Sequence, residues 1–167
     1  IITKFGTYSV GHIVNCAGLY ADKIAKQFGY CDDYAMLPFK GLYWYGNWEP
    51  GKLQRHVYPV PDSRNPFLGV HLTVTIDGRA KIGPTAIPIF SRESYAGLGG
   101  LNVKEILNIV GIYPKFLSSK HHDAFGLIKS ELPKYLQRHI VTQAKALVPS
   151  IEPKDFKERG KPGIRAQ

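Results

Sequence analysis

Cysteine is scarce in this chain: Cys16 and Cys31 are the only two among 167 residues. They are too few and too weakly patterned for a disulfide framework or a zinc site, so no metal is expected and a reducing compartment is. Long apolar runs are also missing. None approaches the roughly 18 residues of a membrane span. The opening IITKFGTYS lacks a signal peptide's pattern, which leaves a cytoplasmic protein as the expectation and contact with a membrane surface as an open alternative. A Gly-x-Gly-x-x-Gly turn, the mark of a pyrophosphate cradle at a helix N-terminus, is absent too. Gly97, Gly99 and Gly100 lie in a loop-like stretch, the wrong context for one. No internal repeat or low-complexity tract is visible.

What the chain has is material for a core: 44% of its residues are hydrophobic, enough for one domain or a domain and a half. It also carries a formal net charge of +9. A nucleic-acid binder would concentrate its basic residues among aromatics. Here they are dispersed, apart from the tail of Lys154, Lys157, Arg159, Lys161 and Arg165, so no nucleic acid is expected. A positive field would serve an enzyme of anionic substrates. The charge also fits a piece whose acidic partners lie elsewhere, and a non-catalytic basic binding module stays open.

The order of patterns is β, α, several strands, then helices. Ile13-Val14 reads as a short strand ending at Asn15-Cys16-Ala17-Gly18. Leu19, Ile24 and Phe28 follow with helical spacing, and Gly29 stops them. Leu37-Pro38 precedes an aromatic strand, Gly41 to Tyr45, and Gly46 to Lys52 is turn-rich. Tyr58 to Pro84 reads as three short strands: Pro59, Pro61 and Pro66 punctuate the first connection, and Asp77-Gly78 signals a two-residue hairpin. Asn102 and Glu105 have capping-box spacing ahead of a helix whose face is Val103, Ile106, Leu107 and Val110. Another helix starts near Pro133, buries Leu136, Ile140, Ala144 and Leu147, and stops at Pro149. Glu152 to Lys161 reads as a charged connector. The fold class is α+β, an antiparallel sheet covered by helices.

Alternation along Leu68 to Thr73 puts Gly69, His71 and Thr73 on one strand face, with Val70 and Leu72 turned to a core. A lone strand histidine is more often structural than catalytic. His56 and the His121-His122 pair read as loop or helix surface. The small Asn15–Gly18 turn allows a close backbone approach, although any strand-to-helix turn uses such residues. Cys16 reads as a small buried filler, not a nucleophile.

The wording of several segments adds to this. YPVPDSRNPFLGVHLTVTIDGRAKIGP (58–84), HIVNCAGLYADKIA (12–25), Lys40-Gly41-Leu42-Tyr43 and the closing PGIRAQ (162–167) occur in an order that resembles the FAD-dependent L-2-hydroxyglutarate oxidases and dehydrogenases, members of the D-amino-acid-oxidase-like superfamily. The likeness is most specific over 56–86 and weak over 91–160. It implies an internal or truncated portion of such a flavoprotein. Residues 1–30 would be a strand–turn–helix remnant of the FAD-binding α/β domain, 31–160 the antiparallel substrate domain, and 161–167 a return toward the cofactor.

The resemblance implies FAD contacts at Asn15, Cys16, Ala17 and Gly18. It makes His71 the catalytic base, since a 2-hydroxy acid loses its hydroxyl proton as the α-hydride leaves. Arg165, at the family's Gly-x-Arg turn, would grip a substrate carboxylate through paired hydrogen bonds. Lys40 would hold a second carboxylate, with Tyr43, Tyr58 and Thr73 lining the pocket and Gly83-Pro84-Thr85 ending a strand toward the flavin. The substrate would be a small dicarboxylate. The electron acceptor stays open between oxygen and quinone, and a relative acting on glycerol 3-phosphate or an amino acid stays an alternative. Without the pyrophosphate turn, the chain alone is not expected to retain FAD.

Overall fold

The computed structural model describes residues 1–62, 67–95, 102–118 and 123–167. Pro66, Gly97, Gly99, Gly100, His121 and His122 fall outside them. The chain divides into two compact units, Ile1–Met36 and Leu37–Gln167.

The first unit holds a minimal hairpin, β1 (Ile2–Thr3) with β2 (Gly6–Thr7), then a 3-10 turn at Gly18–Tyr20 running into α1 (Ala21–Gln27). None of its residues is fully buried. Ile13-Val14 is not a strand: it finds no ladder partner within the unit, and Val14 is 84% exposed. Gly29, at φ +74°, ends the helix by donating to the Lys26 carbonyl, as its position suggests.

The second unit is built on two antiparallel sheets sharing one ribbon. That ribbon is β3 (Pro38–Gly41) followed by β4 (Trp44–Tyr45). The other strands are β5 (His71–Val74), β6 (Ala80–Gly83), β7 (Ile87–Pro88), β8 (Glu158–Arg159) and β9 (Gly163–Ala166). One sheet has the order β7-β3-β9 and the other β5-β6-β4-β8. Two sheets thus replace the single one expected, because the aromatic strand breaks at Leu42-Tyr43. The break is held by one side chain. The buried Thr85 hydroxyl accepts from the Leu42 N–H at 3.0 Å and donates to the Lys40 carbonyl at 2.8 Å.

The segment before β5 contributes only an isolated bridge, Val57 to Leu72, and not a third strand. The supposed connector from Glu152 is also more than a connector. It contains β8 and the fully buried Phe156, which anchors it in the core. Gly163-Ile164-Arg165 is strand β9, not a turn, and pairs along the whole of β3.

Helices α2 (Val103–Leu117), α3 (Ala124–Glu131) and α4 (Gln137–Ala144) complete the unit. Asn102 caps α2 as its spacing predicts, its Oδ1 accepting from the Glu105 N–H. The Glu105 carboxylate turns instead to the Ser91 hydroxyl and the Arg92 N–H. The buried face of α2 differs from the expected one: Ile109 is buried, with Ile112, Tyr113 and Phe116 packed beside it, while Val103 and Leu107 are exposed. Both stripes have helical spacing, and Phe39 of β3, with the Phe67 ring packed against it, selects the aromatic one.

Helix α4 begins four residues after Pro133, so Leu136 is exposed. Ile140, Val141 and Ala144 are fully buried against Trp44, Leu72, Ile82 and Phe156. A buried ion pair, Glu131 with Lys134, joins this layer to the sheet, since Glu131 also accepts from the Ala86 N–H at 2.7 Å. Among the described residues no helix is long and apolar enough to cross a membrane.

Candidate functional site

Strand register decides which side chains can meet. In the four-stranded sheet Leu72, Ile82 and Trp44 lie side by side and face α4. Their neighbours must therefore face the other way: His71 beside Gly83, and Thr73 beside Lys81 and Tyr45. This register depends on the turn. Gly78 donates to the Thr75 carbonyl and has φ +77°, and Thr75 donates to the Arg79 carbonyl. The result is a hydrogen-bonded turn followed by a glycine bulge, one residue longer than the two-residue hairpin read from Asp77-Gly78. A two-residue loop would have set Lys81 opposite Val74. The extra residue sets it opposite Thr73, on the His71 face.

His71 Nδ1 lies 2.9 Å from the Gly69 carbonyl oxygen. A carbonyl only accepts, so Nδ1 carries the hydrogen, and Nε2 of the neutral ring keeps its lone pair. Burial pulls the His71 pKa below its ordinary value. The bond to Gly69 opposes that shift, while the charges of Lys81 and His56 add to it. Tyr58 lies over the imidazole with ring centres 4.4 Å apart. The segment carrying Tyr58 is pinned to β5 by reciprocal 2.9 Å bonds between Val57 and Leu72, and by the Val74 N–H donating to His56 Nδ1.

Tyr43 continues this surface toward the other sheet. A Cβ at Gly83 would stand 2.5 Å from the Leu42 carbonyl and 2.9 Å from the Tyr43 ring, so only glycine admits the tyrosine beside the His71 strand pair. Lys81 Nζ lies 4.6 Å from the centre of the Tyr43 ring. Burial raises the Tyr43 hydroxyl's pKa, and the positive charge of Arg165 counters it. Arg165 pairs across from Phe39, sharing its sheet face, and sets its guanidinium 4.7 Å over the Phe67 ring. Its Nη2 donates to Gln167 Oε1 at 3.1 Å. His71, Tyr43, Lys81 and Arg165 thus form a continuous band across both sheets, with Tyr58 and Thr73 at its His71 end.

Lys40 is not part of that band. Its partner across β9 is Ile164, one residue out of phase with Arg165, so Lys40 points to the opposite face. There it lines a cleft of about 410 Å³ with Tyr95, Tyr135, Arg159 and Lys161. Burial lowers the Lys40 pKa, and the charge of Arg159 lowers it further. Sequence reading missed Lys81 because of the hairpin length, and missed Arg159 because β8 looked like a connector.

The Asn15–Gly18 turn belongs to the first unit. Asn15 Oδ1 accepts from the Ala17 N–H at 3.2 Å and its Nδ2 donates to the Ala21 carbonyl at 2.8 Å, closing the turn on itself. Gly18 has φ +53°, and a Cβ there would meet nothing within 4 Å. Cys16 is exposed, not the buried filler expected. Small side chains on an open turn leave the backbone free for a flat cofactor to approach, so these residues fit a flavin nucleotide contact.

The family described as "FAD dependent oxidoreductase" matches residues 2–166. The mitochondrial L-2-hydroxyglutarate dehydrogenase of Mus musculus is 35% identical over 93% of this chain and 33% of its own length. The L-2-hydroxyglutarate dehydrogenase of Indibacter alkaliphilus is 36% identical over 100% of this chain and 42% of its own. That of Escherichia coli K12 is 36% identical over 77% and 31%. The chain therefore spans a third to two-fifths of the first two relatives' length. Matched from its second residue to its last but one, it belongs to the FAD dependent oxidoreductase family.

Proposed function

We propose that the chain supplies the substrate side of an enzyme oxidising L-2-hydroxyglutarate, or a close 2-hydroxy acid, to the 2-oxo acid. The observation that carries this reading is the His71–Gly69 hydrogen bond, which leaves Nε2 as a neutral base on a surface that also bears Arg165 and Lys81. His71 Nε2 takes the proton of the substrate's hydroxyl as the α-hydride departs. Arg165 holds a carboxylate by two parallel bonds, and Tyr43 and Tyr58 wall the site. FAD, when bound, supplies the two-electron acceptor. Asn15, Cys16, Ala17 and Gly18 are its proposed contacts in this chain. Because this sequence carries no Gly-x-Gly-x-x-Gly turn to cradle a pyrophosphate, the chain alone should lose FAD on desalting.

On the same reading, residues 1–30 serve the cofactor, 31–160 form the substrate domain, and 161–167 lead back toward the cofactor side. The names of the relatives support L-2-hydroxyglutarate as substrate, and some of those proteins are mitochondrial and others bacterial. Cytoplasmic residence with peripheral membrane contact is our proposal for this one. The decisive experiment expresses the complete reading frame that encodes the chain and adds substrates without oxygen. L-2-Hydroxyglutarate should bleach the flavin absorbance. Bleaching by glycerol 3-phosphate or an amino acid alone would reassign the substrate. Reoxidation by oxygen or by a quinone then identifies the acceptor.

A further inference from the structure

The cleft containing Lys40 lies on the α4 side of the shared ribbon, on the face opposite Phe39 and Arg165 and away from the band around His71. Three cations border it. Lys40 comes from β3, Arg159 from β8, and Lys161 from the link to β9. The aromatic rings of Tyr95 and Tyr135 complete its wall, and none of the described lining residues is acidic.

Two carboxylates of neighbouring elements are engaged elsewhere. Glu158 pairs with Arg79 across the other face of β8, because alternation turns it away from Arg159. Glu131 is committed to Lys134 and the Ala86 N–H. Like charges gathered around one concave space repel unless something negative sits among them. Lys40 reports that cost, since burial and Arg159 both disfavour its charged form. Among the described residues its Nζ makes one long hydrogen bond, to the Ser94 hydroxyl at 3.4 Å.

We propose that this cleft is a second, separate site for a small multivalent oxyanion, held by Lys40, Arg159 and Lys161 with the tyrosine hydroxyls as further donors. Its volume of about 410 Å³ suits a small molecule. Carboxylate and phosphate oxygens share the chemistry that these cations recognise. The inference stands apart from the reaction proposed above, since it uses no residue of the His71 band.

The test is an amide-resolved NMR titration of the chain with inorganic phosphate and, separately, with succinate, at ionic strength fixed by sodium chloride. Saturable shifts are expected at Lys40, Tyr135 and Arg159 to Lys161, with little change at His71 and Lys81. The tighter of the two anions identifies a phosphate or a dicarboxylate as the ligand class. R159Q/K161Q should weaken binding at least tenfold and His71→Ala should leave it intact. Lys161→Gln alone, outside any strand, should weaken binding by a smaller factor without altering the fold. Shifts that match sodium chloride, that centre on His71 and Arg165, or that survive R159Q/K161Q would overturn the proposal.

Discussion

The two faces of the four-stranded sheet use the same strands for opposite ends. Toward α4, Leu72, Ile82 and Trp44 are buried and interdigitate with Ile140, Val141 and Ala144. Away from it, His71, Thr73 and Lys81 are half-buried, polar and aligned on the same register. One face therefore pins the backbone so that the other can hold titratable groups in fixed places. Stability and the proposed chemistry are separated by a single step along β5, which makes neighbouring substitutions a direct probe of the division.

The largest effect is expected on the open face. In the complete reading frame, His71→Ala should reduce flavin reduction on the order of 10²–10⁴-fold, the usual loss on removing a general base, with an almost unchanged melting temperature. Near-normal reduction in an early-melting variant would make His71 a core residue and dissolve the comparison. Next to it, Leu72→Ala should cost about 2–5 kcal/mol in denaturant unfolding, since it leaves a cavity under a fully buried position. It should act on turnover only through the fraction folded.

Arg165→Ala should raise KM and lower kcat/KM by roughly 10–100-fold, the scale of a lost charge-assisted pair. An unchanged KM would remove Arg165 from the substrate. The smallest effect concerns pH. With its pKa held below 6.5, His71 stays a base into mildly acid solution, so the acid limb of kcat/KM should fall below pH 6.5. Lys81→Met removes a charge that depresses that pKa and should move the limb upward. Stability follows the same sign. Because the unfolded chain binds more protons between the two values, the contribution of His71 is complete above about pH 6.5. It is lost as pH falls through the folded value.

Much of this was legible from local pattern. The alternation from Val70 to Thr73 assigned both faces of β5, and the Asn102 cap and the Gly29 stop were visible as spacing. Where two patterns were equally periodic, sequence chose wrongly. On α2 the Val103–Val110 stripe looked like the buried one, but only the Phe39–Phe67 pair, brought together from β3 and a distant loop, selects Ile109 and Phe116. Loop length was the second blind spot. Asp77-Gly78 announced a turn without announcing the bulge, and that one residue carries Lys81 from the core face to the His71 face. Lys40 and Arg165 each read as a carboxylate grip, yet the β3–β9 register sets them on opposite faces. Long-range pairing of this kind leaves no trace in spacing.

The Thr85 hydroxyl has a mechanical consequence. Between Gly41 and Trp44 the ribbon passes from one sheet to the other, and there one oxygen bridges Leu42 and Lys40. It works as a hinge pin: pivoting one sheet on the other would strain both bonds, and Pro84 packs so close to Gly41 that a Cβ there would stand only 2.9 Å from the proline's own. Arg165 rides on one plate of this joint and His71 on the other. The spacing between Arg165 and His71, the proposed carboxylate grip and base, is thus set by a threonine that touches neither.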